Sequence, residues 1–133
     1  MPFENISAEQ QARFLSSLRT GQYNLLLGAG ASMDSSNGRE TLPSGTVFRN
    51  DLAVLKNANT NQPLQKIFSL LTLSEIKEHV TERFSNCTPG PTYKLLTSFI
   101  WKRAFTFNID DAMEAAYRGE TAKQTILSYN FDD

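Results

Sequence analysis

At 133 residues, 40% hydrophobic and 20% charged, the chain has the size and composition of one ordinary globular domain, which argues against a disordered tail, a coiled coil or a collagen-like chain. A formal net charge of −1 with scattered basic residues lacks the footprint of a nucleic-acid binder, and a lone cysteine, Cys87, excludes an internal disulfide or a cysteine-cluster zinc site within the chain. The start, Met1 to Gln10, has no charged and apolar leader, and no apolar run approaches the length that spans a bilayer, so the expected compartment is the cytoplasm, without membrane contact.

In chain order, Ser7 with Gln10 has the form of a capping box, and Phe14, Leu15 and Leu18 recur at helical spacing until Gly21, which predicts a helix over about 7–20. Tyr23 to Leu27 is short and uniformly apolar between glycines and predicts a buried parallel strand. Gly28-Ala29-Gly30-Ala31-Ser32 follows, then a polar stretch through Ser44-Gly45, expected to be loop, with Asp34 to Glu40 read as a mobile cover. Phe48, Leu52 and Leu55 predict one helix; Leu64, Ile67, Phe68 and Leu71 predict the next. A second capping box, Thr72 with Glu75, opens a third amphipathic helix whose Leu73, Ile76, Val80 and Phe84 share a side. The turn residues of Asn86 to Pro91 precede another helical pattern over Thr92 to Trp101, through the apolar Tyr93, Leu96 and Phe99. Ala104 to Phe107 predicts a second strand, Asp110 to Tyr117 a helix closed by Gly119, and Thr125 to Tyr129 a third strand.

Strands separated by helices imply an α/β fold: a Rossmann-like parallel sheet with helices on both faces. Asn130 to Asp133 follow the third strand where such a fold continues into another helix, so residues 1–133 are expected to be the N-terminal portion of a single domain in a longer protein.

Two constellations carry the chemistry. Leu25-Leu26-Leu27 runs into Gly28 to Ser32, small residues whose backbone a pyrophosphate can approach at the carboxyl end of a strand. Met33 breaks the G-x-G-x-x-G dinucleotide pattern, and a tight turn needing small residues for packing is the competing reading. Thr106-Phe107-Asn108-Ile109-Asp110-Asp111 likewise leaves a strand and opens a helix, where Asn and Asp commonly cap. In one parallel sheet both strand ends face the same edge, so Asn108 and Asp110 are expected beside the glycine turn. His79, on the third amphipathic helix, reads as a structural or surface residue, Asp111 and Glu114 as dipole-favoured residues of a first turn, and Lys102-Arg103 as a helix C-terminal charge pair.

Gly28 to Ser32, then Leu42-Pro43-Ser44-Gly45, then Thr106-Phe107-Asn108-Ile109-Asp110 together resemble, in order and spacing, the three signatures of SIR2-like (sirtuin-related) proteins, with Phe107 where sirtuins usually carry Gln. The resemblance implies NAD as substrate or ligand, held by Gly28, Ala29, Gly30, Ala31, Ser32 and Pro43. It implies Asn108 as the catalytic asparagine beside the nicotinamide ribose and Asp110 as partner of the nicotinamide carboxamide, with no metal. The family's general base is a histidine after the asparagine motif; no histidine follows His79 here, and one beyond Asp133 is expected. Protein-deacylating sirtuins carry a four-cysteine zinc module that a single Cys87 cannot supply. The resemblance therefore favours a bacterial-type NAD hydrolase module releasing nicotinamide and ADP-ribose, of the kind found in antiphage defence with further domains or subunits and homo-oligomers. The alternative is a non-catalytic NAD or ADP-ribose sensing or assembly module, and a protein deacylase ranks last.

Overall fold

The computed structural model describes residues 5–129. Both expected capping boxes form. Ser7 Oγ accepts from the Gln10 N–H at 3.2 Å and Gln10 Oε1 accepts from the Ser7 N–H at 2.8 Å, which satisfies two of the open donors at the start of α1 (Ala8–Arg19). Gly21 then turns the chain at φ +69°, a conformation that favours glycine. It leads into β1 (Asn24–Leu27). A 3-10 turn (Ala29–Ser32) follows, then α2 (Gly45–Leu55) and α3 (Leu64–Phe68). The Thr72–Glu75 box opens α4 (Leu73–Ile76), which widens into a π-helical turn (Lys77–Thr81). α5 (Pro91–Leu96), β2 (Arg103–Thr106) and α6 (Ala112–Tyr117) complete the order.

β1 and β2 pair in parallel, Asn24 opposite Arg103 and Leu27 opposite Thr106, and form a two-stranded sheet. The result is a mixed α/β arrangement in which both strands end at the same edge. One face of the sheet, carrying Leu25, Leu27 and Ala104, packs on a core built from Phe48, Leu52, Ile67, Phe84, Tyr93, Met113 and Tyr117. Phe48 and Phe84 meet edge to face at 5.0 Å. Arg83 lies beside the Phe48 ring and bonds both Glu40 (2.8 Å) and Asp51 (2.9 Å), so one guanidinium ties a loop to α2. Among the described residues, no helix is long and apolar enough to cross a membrane.

Several expectations change. The strands are not buried on both faces: Leu26 is 66% exposed and its neighbour across the ladder, Phe105, 48%, because nothing among the described residues covers that side. Leu55 and Leu73 also point outward, and Ala53 takes the buried position in α2. The helix expected over Thr92 to Trp101 stops at Leu96. There side chains take its last carbonyls, with Ser98 Oγ donating to Leu95 O and Trp101 Nε1 to Leu96 O (2.8 Å). Thr125 to Tyr129 forms no strand. The Gln124 amide instead exchanges hydrogen bonds with the Trp101 backbone ahead of β2 (2.8 and 3.0 Å), and Leu127 and Tyr129 beyond it are exposed. The expected continuation at Asn130 to Asp133 lies outside the described residues.

The polar stretch Asp34 to Glu40 is pinned rather than a free cover. Ser36 and Thr88 exchange backbone hydrogen bonds (3.0 and 2.7 Å), Asn37 Nδ2 donates to Arg83 O, and Asp34 Oδ2 accepts from both the N–H and the hydroxyl of Thr92. Gly90 makes this close approach possible, since a Cβ there would overlap the Asp34 carbonyl and carboxylate.

Candidate functional site

β1 runs into Gly28 in extended conformation, and the Ala31 N–H closes the following turn on Gly28 O at 3.0 Å. This turn carries Ser32 inward, to 4% exposure. On the neighbouring strand the Phe107 N–H donates to Leu27 O, extending the ladder by one rung, and Thr106 Oγ1 accepts from the Asn108 N–H at 3.0 Å. The Asn108 side chain is thereby set against Ser32. Its Nδ2 donates to Ser32 Oγ (2.9 Å) and to the hydroxyl of Tyr93 (3.0 Å), and the two hydroxyls lie 2.9 Å apart.

Counting protons fixes the orientation of this triangle. Three contacts need three protons; the amide NH2 supplies two and a hydroxyl the third. With the amide turned round, two hydroxyl protons would have to serve three contacts. The carbonyl Oδ1 of Asn108 is consequently a buried acceptor with no partner among the described residues. A buried acceptor of this kind costs roughly 1–3 kcal/mol until something donates to it.

Tyr93 itself is 1% exposed. Burial pushes its phenol above the ordinary value, the bonds from Ser32 and Asn108 pull it back in part, and the nearby Asp110 and Glu114 charges push it further up. At neutral pH it is a neutral hydroxyl that accepts from Asn108 Nδ2 and shares one proton with Ser32 Oγ, either oxygen able to donate. Sequence reasoning placed Tyr93 on the apolar face of a helix and missed this role. A buried tyrosine hydroxyl needs a partner, but helical spacing carries no sign of which one.

The remaining expected site residues separate. Gly28, Ala29 and Gly30 are exposed at the sheet edge and Ala31 packs against the core. A Cβ at Gly28 or Gly30 would meet nothing within 4 Å, and neither has a left-handed backbone. Packing therefore does not require glycine at either position, in contrast to Gly90, and the backbone there is open to approach. Asp110 Oδ1 accepts from the Ala112 N–H at 3.1 Å and so caps α6 from beside the Asn108 motif. Pro43 is half-buried at the entrance to α2, where Ser44 Oγ accepts from the Val47 N–H, and it is not bonded to the Ser32, Tyr93 and Asn108 cluster.

Asp111 departs from its expected role. Its carboxylate leaves the α6 cap to Asp110 and accepts from the backbone N–H groups of Asn86 and Cys87, both at 2.8 Å, across from a turn in which Asn86 has φ +56°. Cys87 is buried beside it, and burial, then the Asp111 charge, push its thiol up to about 12. His79 sits on the π-helical turn with Glu78 3.9 Å away, at the surface as expected.

Two hollows lie elsewhere, about 190 Å³ lined by Glu114, Tyr117, Arg118 and Ile126, and about 390 Å³ lined by Arg19, Phe99, Ile100 and Lys123. Ser32, Tyr93 and Asn108 line neither. The sheet edge is open rather than enclosed, with Phe107 81% and Ile109 59% exposed, so a void volume is a poor guide there and the hydrogen-bonding geometry decides. Among the described residues no group of three or more His, Cys, Asp or Glu is placed to hold a metal ion. No family model, curated protein or solved structure matches this chain.

Proposed function

We propose that this chain is the NAD-binding portion of a SIR2-like, Rossmann-like module that hydrolyses NAD to nicotinamide and ADP-ribose. The observation that carries the proposal is the Asn108 amide, tied through Nδ2 to Ser32 and Tyr93 with its buried Oδ1 left as a bare acceptor, at the edge where both parallel strands end. Ligands of open α/β sheets bind at this edge. The open backbone at Gly28 and Gly30 suits a pyrophosphate, and the bare carbonyl suits a ribose hydroxyl or a water molecule.

Cleavage of the nicotinamide–ribose bond expels a neutral base with the bonding pair, so no general acid is needed; water adds to the ribose carbon and its proton leaves to solvent or to a base. The protein's share is to stabilise developing positive charge and to place the nucleophile. Asn108 does the placing, its Oδ1 accepting a hydrogen bond from the attacking water or an adjoining hydroxyl. Asp110, with one oxygen engaged by α6, keeps a second for the nicotinamide carboxamide.

Leu26 and Phe105 bear on the fold assignment. β1 is apolar on both faces, as in a sheet with helices on both sides, so the uncovered face is where further domains or subunits would pack. One feature favours binding without turnover, the second reading: the groups bonded to the Asn108 side chain are neutral hydroxyls, with no base among them. Calorimetry with NAD and an assay of nicotinamide release, on the chain and on Asn108→Ala, test the proposal. Binding and release that the variant loses support hydrolysis. Binding without release in either protein supports the sensing module, and a folded chain that neither binds nor cleaves overturns both.

A further inference from the structure

We infer that Tyr93 is a positioning residue that locks the Asn108 amide with its buried carbonyl turned away from both hydroxyls, so that the site selects a ligand offering a hydrogen-bond donor, a hydroxyl above all. The inference rests on the proposed function for the identity of that ligand, but not for the locking itself. An asparagine amide can turn about its last torsion and present either its NH2 or its carbonyl to a ligand. Here the two N–H bonds each have an acceptor, Ser32 Oγ at 2.9 Å and Tyr93 OH at 3.0 Å, and turning the amide would lose both. Tyr93 is 1% exposed, reaches the site from the first turn of α5 and, like Ser32, bonds both other members of the triangle. Ser32 alone leaves one N–H free and the orientation unfixed.

The test uses Tyr93→Phe, which keeps the ring in the core and deletes only the hydroxyl, with Ser32→Ala on the other leg in case the first variant fails to fold. The side-chain NH2 of Asn108, assigned by its loss in Asn108→Ala, is followed by nitrogen NMR, and nicotinamide release is measured in parallel. The wild-type NH2 protons should exchange slowly. Tyr93→Phe should shift one of them and speed its exchange, while kcat for nicotinamide release falls about fivefold, the loss of one hydrogen bond's orientation, and KM moves less than about twofold. Unchanged NH2 resonances and exchange in Tyr93→Phe overturn the locking whatever NAD does. A freed amide with unchanged kcat overturns its part in turnover. If the wild type neither binds nor cleaves NAD, the proposed function falls while the NMR measurement still decides whether Tyr93 fixes the amide.

Discussion

Replacing Asp111 with alanine removes a carboxylate that accepts two backbone hydrogen bonds at 2.8 Å, one from Asn86 in an exposed turn and one from the buried Cys87. A hydrogen bond to a charged group is worth about 1.5–3 kcal/mol, and the Cys87 N–H, left without a partner, carries most of that; solvent replaces the exposed bond to Asn86 at a cost of about a few tenths. The sum is a loss of about 2–3 kcal/mol, or roughly 6–10 °C in Tm for a chain of this length. The pH dependence gives an independent check. Burial pushes the Asp111 carboxyl up, but the N–H groups of Cys87 and Asn86 outweigh it and hold the carboxyl below its ordinary value. Its contribution is thus complete above the ordinary carboxylate range and is lost as pH falls through the lower folded value. Urea unfolding followed by circular dichroism at pH 7 and again near pH 3 should show the gap between wild type and Asp111→Ala narrowing in acid. A loss below about 0.5 kcal/mol at pH 7, or a gap of equal size at both pH values, would refute the tether.

Gly90→Ala drives a methyl into the Asp34 carbonyl and should cost about 3 kcal/mol or more in urea melts, whereas Gly30→Ala, facing open space, should leave stability nearly unchanged and, under the proposed function, weaken only NAD binding. The Cys87 thiol, pushed up to about 12, should react with a disulfide reagent at pH 8 only as fast as the protein opens, so that labelling accelerates sharply across the urea transition. Glu75, held down to about 2 by the Thr72 N–H and by Lys56 at 3.0 Å, contributes stability that is present above its ordinary value of 4.5 and lost as pH falls toward 2; the advantage of wild type over Glu75→Gln should shrink over that interval.

Local physics wrote some parts of this chain legibly. Ser7 with Gln10 and Thr72 with Glu75 each solve the open N–H groups of a helix start within four residues, so spacing alone locates them. The short apolar runs at β1 and β2 and the parallel pairing follow from helices lying between them. The end of α5 was less legible, because a tryptophan and a serine beyond Leu96 take its carbonyls, and periodicity counts only apolar residues. Thr125 to Tyr129 has a strand's composition, yet the contact made at this point is a side-chain one, Gln124 on the Trp101 backbone just ahead of β2, which apolar patterning does not record.

The same division runs through the site. The sequence by itself determined that small residues follow the first strand and that an asparagine and an aspartate follow the second, because both motifs are local and contiguous. Only the tertiary structure decided that Tyr93, 15 residues before Asn108 and 61 after Ser32, supplies the third corner and its second hydroxyl, and that Asp111 tethers a distant turn while Asp110 caps the helix. Those partners are set by where α5 and the 86–87 turn come to rest against the sheet edge, and a hydrogen bond between residues far apart in the chain leaves no trace in the spacing of either one.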